Sequence, residues 1–342
     1  MTRFLHPLIA FLSRLVRPAF AFVIAASGLQ ALAADGFSPG TRQPFAPLPQ
    51  PPILDEMKAD LGSKLFADPI LSSKAMLACT SCHDLQAGGT INMPRTIGYC
   101  GRQHRFNAPT IFNVGNNYRF GWQGGFTSLE EQNESVLLDK NIMNADWPTL
   151  IERLRNSDVY RSLFEQAYHR NPDRSATLDA LATYQRSLTT PNSDFDRYLM
   201  GDPSALSADA TAGMQLFRNY GCASCHQGSN LGGNMFQSFG IYTEPPPGNS
   251  ADGDVGRFAL TGNADDKGVF RVPSLRNVAV TAPYFHDGRA KTLEEAVDVM
   301  GKVQLGRPLS QTEIRSLVAF LKAFTGEYHG KKLQTADAQK HD

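Results

Sequence analysis

The sequence predicts a mainly α-helical chain of two related domains joined by long loops, and three observations predict it. Apolar residues recur at helical spacing along most of the chain. No convincing alternating strand series appears. One unit occurs twice: Gly62-Ser63-Lys64-Leu65-Phe66 is echoed by Gly213-Met214-Gln215-Leu216-Phe217, and each echo is followed by a Cys-x-x-Cys-His. With 342 residues, 42% of them apolar, the chain has material for two domains rather than one. Lys plus Arg equals Asp plus Glu at 33 each, so charge points neither to nucleic acid nor to an acidic substrate.

Residues 1–33 carry Arg3, Arg14 and Arg17 without an acid, then an apolar run from Pro18 to Leu32 that ends in Ala31-Leu32-Ala33. This pattern reads as a secretory signal peptide cleaved before Ala34. A membrane anchor is the competing reading, but Ser27, Gly28 and Gln30 interrupt the run, which falls short of the roughly 20 apolar residues a span needs. Removing the three arginines leaves 30 basic against 33 acidic residues and no later segment apolar enough to cross a bilayer.

Residues 34–52, rich in Pro, Gly and Ala, read as a linker into a first helix bearing Leu54, Met57, Leu61, Leu65 and Phe66. An N-terminal domain is expected over 53–200, a C-terminal domain over 201–330 and a tail over 331–342. Helical periodicity runs through roughly 147–168 and 176–189, with Leu150, Leu154, Tyr160, Phe164, Leu178, Leu181, Tyr184 and Leu188 as core positions. Thr189 to Asn192, with Pro191, breaks the helix. Ser207 is placed to cap a helix ending near Tyr220. Ser310 with Glu313 forms a capping box for a last helix whose apolar face is Ile314, Leu317, Val318 and Leu321. The stretch 227–271 is crowded with Gly, Asn, Asp and Pro, and a loop of that length needs a large cofactor to fold around.

The duplicated motif supplies that cofactor. Covalent haem attachment needs two thiols spaced to meet both vinyl groups and a histidine that reaches the iron. Cys79-Thr80-Ser81-Cys82-His83 and Cys222-Ala223-Ser224-Cys225-His226 both qualify, which makes each domain cytochrome c-like with one covalently attached haem c. A zinc site built from four thiolates is the main competitor, yet it leaves both histidines and the signal peptide unexplained. Thioredoxin-like chemistry expects a βαβ context that is absent. Cys100 is left over.

Beyond these motifs the chain from Leu54 to Gly326 resembles the bacterial dihaem cytochrome c peroxidase family, which also includes the methylamine dehydrogenase maturation enzyme. The resemblance rests on Asn107-Ala108-Pro109-Thr110, on Ser128-Leu129-Glu130-Glu131-Gln132, on Val272-Pro273-Ser274-Leu275-Arg276-Asn277 continuing to Tyr284-Phe285-His286-Asp287-Gly288, and on Met300-Gly301-Lys302-Val303-Gln304-Leu305-Gly306. It implies a periplasmic oxidoreductase whose C-terminal haem receives electrons and whose N-terminal haem meets hydrogen peroxide. The donor would be a reduced small cytochrome c or a cupredoxin, and homodimers are usual in the family. It further implies Met300 as the distal iron ligand of the C-terminal haem, Trp122 between the two haems, and a calcium site made by Asn107 with the carbonyls of Thr281 and Pro283. His/Met ligation suits an electron-accepting haem, and oxygen donors suit a hard cation. Packing roles compete for each: Met300 as core filler, Trp122 as an interface aromatic, Asn107 as a turn cap.

Two family positions differ. Tyr99 stands where the family has a histidine that blocks the N-terminal iron, and a tyrosinate can ligate iron; an open or Tyr99-bound site is expected ahead of ligation by His104, which shares the loop with Cys100. Ile142 stands where the family has its catalytic glutamate, and an apolar side chain moves no proton. Glu134 and Asp139 are nearby acids, and Trp122-Gln123-Gly124-Gly125 replaces the family's Trp-Asp-Gly-Arg. Three functions follow as expectations: peroxide reduction, oxidation of a partner protein, or electron carriage and redox sensing without turnover.

Overall fold

The computed structural model describes residues 43–248 and 255–335; the expected signal peptide, the start of the linker and the end of the tail lie outside the described residues. Helix α1 (Glu56–Ala67) begins where the Asp55 carboxylate accepts the Met57 and Lys58 N–H groups. It buries Leu61, Leu65 and Phe66, but Met57, expected on that face, is 61% exposed. Next come α2 (Leu129–Leu138), α3 (Trp147–Asn156), α4 (Asp158–Tyr168) and α5 (Arg174–Ser187). The helical pattern over 147–168 is thus two helices. Ser157 ends the first, and its hydroxyl caps the second by accepting from Tyr160 N–H. The predicted core positions along α3 to α5 are buried except Tyr184, which is half-buried.

The second half contains α6 (Asp194–Leu199), α7 (Ala208–Asn219), the short α8 (Phe258–Thr261), α9 (Leu293–Leu305) and α10 (Gln311–Lys322). Ser207 caps α7, and Ser310 and Glu313 form the predicted box on α10. Two small antiparallel pairs punctuate the loops: β1 (Phe236–Ser238) with β2 (Val269–Arg271), and β3 (Glu327–Tyr328) with β4 (Lys331–Lys332). The long 227–271 loop therefore carries a ladder at both ends, with Phe236 opposite Arg271.

The duplication extends well beyond the motif that reveals it. Helix α1 crosses α5 at Gly62, and α7 crosses α10 at Gly213, each so closely that a Cβ would fall on a backbone carbonyl, that of Ala180 in one case and of Ser316 in the other. After each Cys-x-x-Cys-His, Pro-x-x-x-Asn-Val recurs as Pro109 to Val114 and Pro273 to Val278. Asn113 and Asn277 both take positive φ, near +60°, ahead of a short 3₁₀ turn, a conformation asparagine tolerates. Asn113 N–H donates to Leu188 O and Asn277 N–H to Phe324 O, at the ends of α5 and α10. Their side chains meet at Thr190, whose Oγ1 accepts from both amides at 2.7 and 2.9 Å.

Buried apolar residues form two large clusters. One includes Leu61, Phe66, Leu150, Phe164 and Leu181; the other includes Phe195, Phe217, Leu231, Ile314 and Phe320. The chain ends cross over. Phe45, in the segment expected to be a linker, packs in the second cluster, and Ala46 O accepts from the buried Arg276 that pairs with Asp196. Leu333, in the expected tail, packs in the first cluster.

A methyl group at either crossing is expected to cost more than the roughly 1 kcal/mol that Gly→Ala gains in helix propensity. Gly62→Ala and Gly213→Ala should each lower unfolding free energy by about 1–3 kcal/mol, read as a lower denaturant midpoint. Glu313, held by Tyr220 and by the Ser310 cap, has its carboxyl pulled down to about 2. Its contribution is therefore complete above the ordinary carboxylate range and is lost as pH falls toward 2. Glu313→Gln should flatten the loss of stability between pH 4.5 and 2 in acid titrations followed by circular dichroism.

Candidate functional site

Both Cys-x-x-Cys-His segments fold alike because the same backbone bonds close them. Cys82 and His83 N–H donate to Cys79 O, and Cys225 and His226 N–H donate to Cys222 O, so a 3₁₀ turn that starts at each first cysteine leads directly to its histidine. His83 Nδ1 lies 3.1 Å from Gly89 O and His226 Nδ1 3.2 Å from Leu231 O. A carbonyl only accepts, so Nδ1 carries the proton and Nε2 keeps its lone pair. Burial pushes both histidines down, His226 to about 4, so each is a neutral imidazole at ordinary pH. Phe66 sits 6.4 Å from the His83 ring and Phe217 6.4 Å from the His226 ring, both delivered by the helices that cross at the glycines.

The cysteines are unpaired, and burial pushes Cys79 up to about 12 and Cys222 up to about 11. Redox-exchanging thiols are shifted the other way. Among the described residues no three His, Cys, Asp or Glu side chains gather as a metal cluster, so the four-thiolate zinc arrangement is not formed.

A cavity of about 480 Å³ opens beside the second motif. Cys222, Cys225 and His226 line it, Met300 reaches it from α9, and Trp122 and Arg271 complete the wall between the halves. Arg271 is 5% exposed, donates from Nε to Gly121 O at 3.0 Å, and leaves Nη1 without a hydrogen bond; burial lowers its pKa to about 10. A mostly apolar slot with two thiols, an imidazole, a thioether and a buried guanidinium whose Nη1 has no partner fits a haem, whose carboxylates would complete the arginine. Sequence reasoning missed Arg271, and the equality of its place in the repeat with that of Asn107 was the available signal.

Trp122 and His286 occupy equivalent positions of the two halves and stand edge to face, ring centroids 6.1 Å apart. The peptide groups flanking Asn107 hold the pair: Asn107 N–H donates to His286 O at 2.7 Å, and Trp122 Nε1–H donates to Asn107 O at 2.9 Å. Asn107, Thr281 and Pro283, the three expected calcium donors, line the same cavity, and Asn107 Nδ2 donates to Met93 O.

The structure brings Tyr99 and Ile142, the two positions expected to differ from the family, together. Tyr99 N–H donates to Ile142 O at 2.9 Å, and a side chain at Gly98 would strike Asn141 and Ile142. Cys100 is exposed, with φ +54°. His104 accepts from Phe106 N–H within its own loop. Of the two nearby acids, Glu134 is held below the usual carboxylate range, first by Arg174, and also accepts from Trp147 Nε1, while Asp139 accepts from Asn141 N–H.

Residues 56–204 match the model of the di-haem cytochrome c peroxidases. Cytochrome c551 peroxidase of Nitrosomonas europaea is 38% identical over 287 residues, covering 83% of this chain and 84% of that protein. The chain belongs to the di-haem cytochrome c peroxidase family. The cytochrome c551 peroxidase of Pseudomonas aeruginosa is likewise 38% identical over 279 residues, covering 80% of each chain. The crystal structure of a MauG-like protein associated with microbial copper homeostasis superposes with a TM-score of 0.73 at 29% identity, covering 82% of this chain and 94% of its own. The chain is accordingly a peroxidase-type oxidoreductase with two cytochrome c-like domains and two haem c groups.

Trp122→Phe keeps the ring but leaves Asn107 O without its donor. It should cost about 1–3 kcal/mol of stability, measured by denaturant unfolding.

Proposed function

We propose that this chain is a periplasmic peroxidase that reduces hydrogen peroxide with electrons from a reduced small cytochrome c or a cupredoxin. The observation that carries the reading is the single cavity in which Cys222, Cys225, His226 and Met300 converge while Trp122 forms the wall toward the other half. Cys79 and Cys82 would bind the N-terminal haem, with His83 as its iron ligand; Cys222 and Cys225 would bind the C-terminal one, with His226 and Met300. Bound there, the haems supply reversible one-electron chemistry at two potentials, the His/Met one higher.

The protein's own part is to position and insulate. The Leu231 and Gly89 carbonyls fix each imidazole by its Nδ1–H and keep Nε2 basic. Arg271 would neutralise a haem carboxylate in a site that excludes water. Trp122, tethered to Asn107 O, offers an oxidisable ring between the centres. Asn107 Oδ1 with the Thr281 and Pro283 carbonyls would hold calcium and pin the two halves at the same point. Tyr99, on a loop bonded to Ile142, would face the N-terminal iron in place of a histidine. The expected signal peptide supports the periplasm, and among the described residues no helix is long and apolar enough to cross a membrane.

Oxidation of a partner protein is the second reading. Ile142 favours it, because a distal side without a proton carrier slows peroxide turnover and lengthens the life of stored oxidising equivalents.

With both haems loaded, peroxide should accelerate oxidation of a reduced small cytochrome c in stopped-flow absorbance; no acceleration overturns the reading. Ile142→Glu should raise that rate, by up to the roughly 10²–10⁴-fold a positioned acid–base group contributes.

A further inference from the structure

The internal duplication lets one half serve as a control for the other, and at one place the halves differ in a chemically telling way. In the C-terminal half an aromatic file leads from His226 through Phe217 to Phe320, with centroid spacings of 6.4 and 5.5 Å, and passes from Phe320 to Phe195 at 5.1 Å and on to Tyr198, 6.4 Å further. In the N-terminal half the same places carry Phe66, 6.4 Å from His83, and Tyr184, 5.5 Å from Phe66. The equivalence is structural: Gly62 packs on the Cβ of Tyr184 as Gly213 packs on that of Phe320. The file then continues to Tyr328, on the hairpin that the C-terminal end lays over this half.

The Tyr328 ring is tilted against Phe112, centroids 4.9 Å apart, and lies 4.0 Å from the ring of His329, which is exposed. Burial, and then the neighbouring Tyr184 hydroxyl, push the Tyr328 phenol well above its ordinary value. At the place next to the motif aromatic one half therefore carries Phe320, which does not give up electrons at accessible potentials, and the other Tyr184, which adjoins the half-buried Tyr328 directly.

We propose that Tyr184 and Tyr328 form a one-electron path from the N-terminal haem site to the surface, separate from Trp122, at which small phenols are oxidised. The path rests on the peroxidase reading, since hydrogen peroxide is its oxidant. Tyr184 loses an electron toward Phe66 and His83, Tyr328 refills it, and the phenolic proton leaves to solvent at the His329 edge. An incoming phenol returns one electron to Tyr328, and a proton restores its hydroxyl. Each peroxide takes two electrons and two protons and becomes two waters, while two phenols become two phenoxyl radicals, so atoms and electrons balance. No binding pocket is required, because electron transfer at an exposed ring edge needs only contact.

The test treats the haem-loaded wild type, Tyr184→Phe and Tyr328→Phe with hydrogen peroxide, without donor, beside a nitrone spin trap. Trapped residues are mapped by peptide mass spectrometry, tyrosyl radical is read by electron paramagnetic resonance, and peroxide loss is measured in the same samples. Tyr184→Phe installs the residue that Phe320 already provides in the other half, and thermal melts of both variants report folding. The expected result is an adduct on Tyr328 in the wild type that disappears in Tyr184→Phe, with guaiacol oxidation falling in both variants. Peroxide loss with no adduct on Tyr328, or an undiminished adduct in Tyr184→Phe, overturns the path alone. Absence of peroxide loss in the wild type overturns the peroxidase reading and the path with it.

Discussion

The constraint on which the rest depends is the contact of two helix pairs at glycine. Where α1 meets α5 and α7 meets α10, backbone touches backbone because Gly62 and Gly213 have no Cβ to hold them apart. That closeness points Phe66 and Phe217 at the two motif histidines and sets the depth at which each Cys-x-x-Cys-His turn sits. A larger residue would move the helix that carries the aromatic contact, and the imidazole would lose one wall of its setting.

Around this pair of crossings the halves are bound to each other reciprocally. Thr190 accepts from Asn113 of one half and Asn277 of the other, Asn107 bridges His286 and Trp122 through its own backbone, and each chain end packs in the far cluster. Shared hydrogen bonds in a buried setting are costly to break singly, so the interface behaves as one unit. The Trp122 ring is thereby held beside His286 by hydrogen bonds to and from the Asn107 backbone rather than to mobile side chains.

The helices, their caps and the duplicated motif were legible because they are local: Ser207, Ser310 and Glu313 act on residues three positions away, and the turn after Cys79 is closed within four residues. The split at Ser157 was not, since the apolar period passes through it without a break and only the cap hydrogen bond marks the boundary. Phe45 and Leu333 were read as linker and tail for a related reason: isolated apolar residues among prolines or lysines have no period, and only a partner surface from the other end of the chain makes them core. Arg271 was missed because an arginine in a loop is ordinary until its burial is known.

The sequence by itself determined the cofactor class and the two-fold repetition, since each is a matter of residue identity at short spacing. Tertiary structure decided which residues share a cavity, that Glu134 is committed to Arg174, and that Tyr184 adjoins Tyr328 across 144 positions of chain. Such pairings follow from helix crossing and from the exchange of chain ends between halves. Neither leaves a local pattern, because the free energy that selects them comes from burial against distant surface.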